Sequence, residues 1–212
     1  FQKNMTGIIY VPKNVKKSKV KIIESYRSKV VKFGDDCLDA ENEAIRLSKE
    51  NNLTFVSPYN DYDIISGQGT IGVEILEQNS EIDIVFITVG GGGLVSGISS
   101  YIKSINPNIK VIGCSPINSS IMINSIKEGK ITNTESKDTL SDGSAGGVEE
   151  GSITFNMCKD LTSFLSVHNF VTFFSSSKDS KGCFIALETN LRLAFCVKVS
   201  SICDIDIHVP YR

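Results

Sequence analysis

The chain has 212 residues, of which 41% are apolar, 22% charged and 8% aromatic, and its net charge is −2. That mix suits a globular protein of one large domain or two small ones, and it excludes a disordered acidic or basic tail. It argues against an electrostatic nucleic-acid binder, which carries a clustered basic surface.

Gly7 to Pro12 is a short apolar run stopped by proline, which predicts a strand. Lys13 to Arg27 follows as a basic helix with Ile22, Ile23 and Tyr26 expected inward. Lys29 to Phe33 predicts a second strand, closed by Gly34. From Asp36 to Asn51, Cys37, Ala40, Ala44 and Leu47 step by 3, 4 and 3, the spacing of an amphipathic helix. Leu53 to Val56 reads as a third strand, Asn60 to Asp63 as a turn, and Gly69 to Gln78 as a helix with Ile71, Ile75 and Leu76 inward. Ile82 to Val89 is almost continuously apolar, as in a central parallel strand buried on both faces. Four glycines, Gly90 to Gly93, come next. Leu94, Ile98, Ile102 and Ile105 then mark a helix that Pro107 stops, and Lys110 to Cys114 is the next strand. The alternation predicts an α/β fold with a parallel sheet and helices on both faces.

After about Leu165 the alternation blurs. Val167 to Phe174, Leu191 to Val199 and Ile202 to Val209 are β-prone. No run of about 18 uncharged apolar residues occurs, so no membrane-spanning helix is expected. Cys183 to Cys203 comes nearest and is interrupted by Glu188, Arg192 and Lys198. The six cysteines, Cys37, Cys114, Cys158, Cys183, Cys196 and Cys203, form no CxxC pair, and His168 and His208 are the two histidines. No zinc site is expected, and the cysteines read as buried reduced thiols of a cytoplasmic protein. The chain opens Phe1-Gln2-Lys3 without a signal-peptide pattern, which reads as a start partway into a longer protein.

The glycine run carries the main chemical signal. A strand, four glycines and a helix place free N–H groups at a helix N-terminus, where the dipole favours an anion. The crevice beyond the carboxyl ends of parallel strands is where such ligands sit. One glycine suffices for a tight turn, so four in a row point to a phosphate-bearing ligand. A dinucleotide site would want an acidic residue at the end of the next strand, which instead ends Gly113-Cys114-Ser115-Pro116. A nucleotide-triphosphate loop would want Gly-Lys-Ser/Thr, and Leu94 follows Gly93. A single phosphate monoester needs only the cradle.

Ser66-Gly67-Gln68-Gly69-Thr70, followed by Val89-Gly90-Gly91-Gly92-Gly93-Leu94-Val95-Ser96-Gly97-Ile98, closely resembles the pyridoxal-phosphate enzymes of the threonine dehydratase and serine racemase family. Asn106 to Gly113 and Thr139-Leu140-Ser141-Asp142-Gly143 agree, and the likeness runs from about Gly7 to Leu165. It implies a tryptophan synthase beta-like fold of two α/β domains with pyridoxal 5'-phosphate between them. On that basis residues 1–63 are the remainder of a smaller mobile domain, 64–165 the larger cofactor-binding domain, and 166–212 a divergent tail. The resemblance makes Gly90, Gly91, Gly92, Gly93 and Leu94 cofactor-binding and puts Gly143 near the pyridine ring. Gln68 and Thr70 order the domain junction or cap a helix, and Glu149-Glu150 is read as a solvated strip.

Departures from the family pattern shape the expectation. The family's Schiff-base lysine lies in a Ser-x-Lys-x-Arg stretch, and a Ser-Gly-Asn-His segment meets the cofactor ring; neither is in this chain. No catalytic residue is therefore assigned here, and the chain alone is not expected to complete the reaction. Racemase-like members carry an acidic metal ligand where Ser115 stands, so no metal site is expected. The late serine or cysteine beside the pyridine nitrogen has no counterpart from Phe173 to Arg212, and the tail reads as lineage-specific or as a frame or splice change.

The implied activity is ammonia-lyase chemistry on L-threonine or L-serine, giving a 2-oxo acid and ammonia, in a cytoplasmic homodimer without nucleic-acid or membrane partners. The alternatives are an amino-acid racemase of the same family, a catalytically dead fragment, and a nicotinamide-dependent reductase with a degenerate loop.

Overall fold

The computed structural model describes residues 7–132, 134–139 and 141–167, with the backbone alone at Asp142 and at 164–167. The chain divides into two compact units, Phe1–Ser57 and Pro58–Arg212.

In the first unit, β1 (Ile8–Val11) pairs in parallel with β2 (Lys29–Lys32), Ile8 opposite Lys29 and Val11 opposite Lys32. The crossover between them is α1 (Lys17–Ser25). This helix has Lys16 at its N-cap with no side-chain cap, no acid in its first turn and no base in its last, so its charges oppose the helix dipole. It buries no residue fully. Val20 and Ile23 are half-buried, whereas Ile22 and Tyr26 are 58% and 59% exposed. The inward assignment of those two is therefore corrected: Ile22 lies about 100° around the helix from Ile23, off the stripe that Val20 and Ile23 define. The next helix, α2 (Cys37–Glu50), starts where Asp36 accepts the Leu38 amide at 2.6 Å. Ala40 is its buried residue, and Ala44 and Leu47 are half-buried. Cys37 is exposed, contrary to the expectation that the cysteines are buried. Leu53 to Val56 is not a strand: these residues pair with no ladder, and Leu53 and Val56 are exposed.

The second unit holds the main core. Its first helix, α3 (Tyr62–Gln78), begins two turns earlier than the sequence suggests, because the Asp61 carboxylate accepts the amides of Asp63 and Ile64. The central strand β3 (Ile84–Thr88) is buried at every residue, as its apolar run predicts. After the glycine turn comes α4 (Gly93–Ile105), then β4 (Lys110–Pro116). Lys103 closes that connection by donating to the carbonyls of Pro107 and Ile109. A short turn leads into α5 (Ile121–Glu128), and the segment ends with α6 (Ile153–Leu161) and β5 (Ser163–Val167). The sheet order is β3-β4-β5, all parallel.

Alternation along β3 sends Val85, Ile87 and Val89 to the face covered by Ile98 and Ile102 of α4, Ile75 of α3, Met122 of α5 and Cys158 of α6. Ile84 and Phe86 go to the other face, with Ile112 and Cys114 of β4. Ile105 ends α4, as its place in the helical step predicts, and is 60% exposed. The α/β assignment with parallel strands holds. No helix among the described residues is long and apolar enough to cross a membrane. The β-prone segments beyond Val167, the histidines and the last three cysteines lie outside the described residues.

Candidate functional site

The glycine turn joins the end of β3 to the start of α4. Gly92 has φ +90°, a left-handed conformation that a Cβ disfavours, and it serves as the N-cap of α4. Its carbonyl accepts the first helical bond, from the Ser96 amide at 3.0 Å.

Three carbonyls of this turn are held by buried side chains. Ser115 Oγ donates to Val89 O at 2.7 Å. Thr154 Oγ1 donates to Gly91 O at 2.6 Å. Cys158 Sγ lies 3.9 Å from Gly92 O, beside the Ser96 bond. In a trans peptide the N–H of the following residue points opposite to the carbonyl. Fixing these three carbonyls therefore turns the amides of Gly90, Gly92 and Gly93 the other way. Among the described residues no acceptor is paired with the amide of Gly90, Gly91, Gly92 or Gly93. The first turn of α4 carries no acid, so the positive end of its dipole is uncompensated.

Packing explains the number of glycines. A Cβ on Gly90 would come within 2.9 Å of Ser144 O. One on Gly91 would enter the Tyr59 ring, one on Gly92 would meet Cys158 Sγ at 2.9 Å, and one on Gly93 would meet the Tyr59 backbone at 2.9 Å. Each position is closed to a side chain by the protein itself. One glycine would therefore not suffice for this turn, and the anion signal rests on the unpaired amides rather than on the count.

A polar network locks the surroundings. Tyr59 OH accepts the Glu149 amide at 2.7 Å, Asn60 Nδ2 donates to Glu149 Oε2 at 2.7 Å, and Asn60 Oδ1 accepts the Ile153 amide at 2.9 Å. Glu149 is thus a half-buried partner, not part of a solvated strip. Leu94 is half-buried against the core. Gly143 lies in the exposed part of the turn Asp142–Ser144, whose Ser144 abuts Gly90. Thr70 lies within α3 and does not cap it: its hydroxyl donates back to Gly67 O. Burial pushes the thiols of Cys114 and Cys158 up to about 12, so both are neutral. Among the described residues, no group of three His, Cys, Asp or Glu side chains could hold a metal ion. A cavity of about 350 Å³ is lined by Asn118, Ser119, Asn124, Glu135 and Lys137, among others, and by none of the four glycines.

Residues 2–170 match the family model described as pyridoxal-phosphate dependent enzyme. The chain belongs to that family. It is 38% identical over 156 residues to a threonine dehydratase of Nicotiana attenuata, covering 74% of this chain and 26% of that protein. It is 39% identical over 151 residues to an L-threonine ammonia-lyase of Thermotoga maritima, covering 71% of this chain and 37% of that protein. Among solved structures, the processed form of threonine deaminase isoform 2 from Solanum lycopersicum superposes with a TM-score of 0.68 at 35% identity, covering 77% of this chain and 48% of that one. Maize serine racemase gives a TM-score of 0.72 at 29% identity, covering 84% and 53%. The chain matches 26% and 37% of the length of these two curated relatives.

For a pyridoxal-phosphate family member, the turn is a fitting seat for the cofactor's phosphate: a set of neutral donors at a helix start, with no acid in the adjoining helical turn. Sequence reasoning missed Tyr59, Ser152 and Thr154. Tyr59 stands in a segment read as the end of the smaller domain, yet it packs on Gly91 and Gly93 within the second unit. Thr154 lies on a helix that has no strong apolar period to announce it.

Proposed function

We propose that the protein to which this chain belongs is a pyridoxal-phosphate-dependent ammonia-lyase acting on L-threonine or L-serine. Family membership supports the cofactor, and the observation that carries this chain's part in it is the row of unpaired amides at Gly90, Gly91, Gly92 and Gly93. The curated relatives named above are a threonine dehydratase and a threonine ammonia-lyase, which supports the substrate class. When bound, the cofactor supplies an electron sink for charge developing at the substrate's α-carbon.

This chain's residues do the holding. The amides of Gly90, Gly92 and Gly93 donate to the phosphate dianion, and the α4 dipole adds to that attraction. Gly91 contributes its own amide. Leu94 packs on the core and fixes the helix start, and the turn at Gly143 stands next to Ser144, against Gly90. Anchoring the phosphate sets the position of the ring attached to it, which is how binding energy remote from the reacting bond becomes orientation.

Pyridoxine 5'-phosphate and pyridoxine test the cradle, because neither has an aldehyde to react with surface lysines. Titration of this chain is expected to show a clear preference for the phosphorylated compound, and equal binding would sink the phosphate seat. Release of ammonia from L-threonine or L-serine by the complete protein tests the lyase reading. The likeness to maize serine racemase supports a second reading, an amino-acid racemase, and chiral analysis of serine after incubation separates the two.

A further inference from the structure

The amides of the glycine turn do not aim themselves. A run of four glycines has wide backbone freedom, and each peptide plane could flip to present its carbonyl to the ligand instead. A carbonyl facing a phosphate would repel it. Something must therefore hold the planes, and the structure offers one buried hydroxyl for each of two of them.

The first hydroxyl repairs a gap in the sheet. The ladder between β3 and β4 includes Lys110 N to Asp83 O and Val89 N to Cys114 O. Its alternation would next call on the amide of residue 116 to donate to Val89 O. Residue 116 is Pro116, which has no N–H. Ser115 Oγ supplies the missing donor, at 2.7 Å, and Ser115 is 1% exposed. The second hydroxyl belongs to Thr154, which is fully buried. Its proton must go to Gly91 O, since a carbonyl can only accept. Ser152 Oγ, 2.7 Å away, then donates to Thr154 Oγ1, so the pair forms a directed relay ending on the turn.

We infer that Ser115 and Thr154 are positioning residues for the anion seat: they hold the carbonyls of Val89 and Gly91 inward, so that the amides of Gly90 and Gly92 face the cofactor phosphate. This rests on the phosphate reading above. It goes beyond it in assigning the geometry of the seat to two side chains behind the turn that do not touch the ligand. It also gives Ser115 a role that does not involve a metal ion.

The test measures, for this chain, the ratio of affinities for pyridoxine 5'-phosphate and pyridoxine. Thr154→Val keeps the shape and removes the donor; Ser115→Ala does the same for the other plane; Thr154→Ser retains the hydroxyl. A purely structural role would lower the melting temperature and weaken both compounds alike. The positioning role lowers the ratio, by about tenfold for each donor lost, the worth of one hydrogen bond to a charged group. Thr154→Ser should restore it. A ratio unchanged in the folded Thr154→Val and Ser115→Ala variants overturns the inference while leaving the phosphate seat standing. A ratio near one in the unaltered chain overturns the phosphate seat and the inference with it. Should Thr154→Val fail to fold by circular dichroism, Ser115→Ala decides the matter alone.

Discussion

The two units of this chain use the same alternation of strand and helix to very different effect. Among the described residues of 7–57 the buried apolar side chains are Val11 and Ala40, and α1 buries none. In residues 58–167 a continuous cluster includes Ile87, Val95, Ile98, Ile102, Met122 and Val148, each at most 1% exposed. The first unit is a two-stranded sheet with a basic crossover helix; the second is a three-stranded sheet with α4 packed against both β3 and α3. The difference teaches where precision is needed. The unit bearing the glycine turn is close-packed around it, with the Cβ position of each of the four glycines already filled by the protein. The other unit, with few buried apolar side chains, is expected to tolerate substitution more readily.

The sharpest way to break that contrast is to open the tightest joint of the second unit. Gly97 of α4 faces Ile65 and Gly69 of α3, and a Cβ there would lie 2.7 Å from Gly69 N, with Ile65 O nearer still. Both obstacles are backbone, which cannot rotate aside. Gly97→Ala should therefore cost about 3 kcal/mol, the upper range for overpacking, despite alanine's better helix propensity. Urea unfolding reads the loss directly. An unchanged midpoint would mean that α3 and α4 are not locked together at this spacing.

This joint also shows what the sequence could and could not display. The buried strand β3 and the helix α4 were legible, because a continuous apolar run and a four-residue step have one natural reading each. The first two turns of α3 were not, since Asn60-Asp61-Tyr62-Asp63 reads as a turn whereas Asp61 caps the helix; at Gly69, where α4 passes, a Cβ would lie 3.3 Å from Gly97 O. Tertiary proximity overrides propensity at such a place. The glycine turn was legible as a strand-to-helix junction. Its supports were not: Ser115 reads as an absent carboxylate until the missing N–H of Pro116 is seen opposite Val89 O. Thr154 carries no signal in a single sequence, because its partner stands 63 positions away. Surface and core are similarly hard to separate in the first unit, where Ile22 and Ile23 are neighbours in sequence and only Ile23 turns inward.

A second contrast separates the thiols. Cys37 in the first unit is exposed, whereas Cys114 and Cys158 in the second are buried. Burial raises both buried thiols from 9.0 to about 12. The folded state then keeps protons that the unfolded chain has lost, so stability is full below pH 9 and falls as pH climbs toward 12. Each thiol should remove about 1.4 kcal/mol per pH unit in that window. Other groups titrate there too, so the useful quantity is the stability difference between the unaltered chain and Cys158→Ala. It should shrink between pH 9 and pH 11 by the share of one thiol. A difference independent of pH would place Cys158 in a wetter setting than the back of the glycine turn.

The smallest expected effect tests the other side of the comparison. Ile22 is one of the largest apolar side chains of the first unit, and on sequence pattern alone it belongs to the buried stripe of α1. At 58% exposed it has little area left to lose. Ile22→Ala should shift stability by less than about 0.5 kcal/mol, the ordinary range for a surface substitution, with alanine's helix propensity offsetting part of the lost packing. A core isoleucine truncated in the same way costs about 2–5 kcal/mol, so the two outcomes are well separated by urea titration. A large loss at Ile22 would show that this side chain is covered in the folded protein, and the first unit would then be less permissive than its burial pattern indicates.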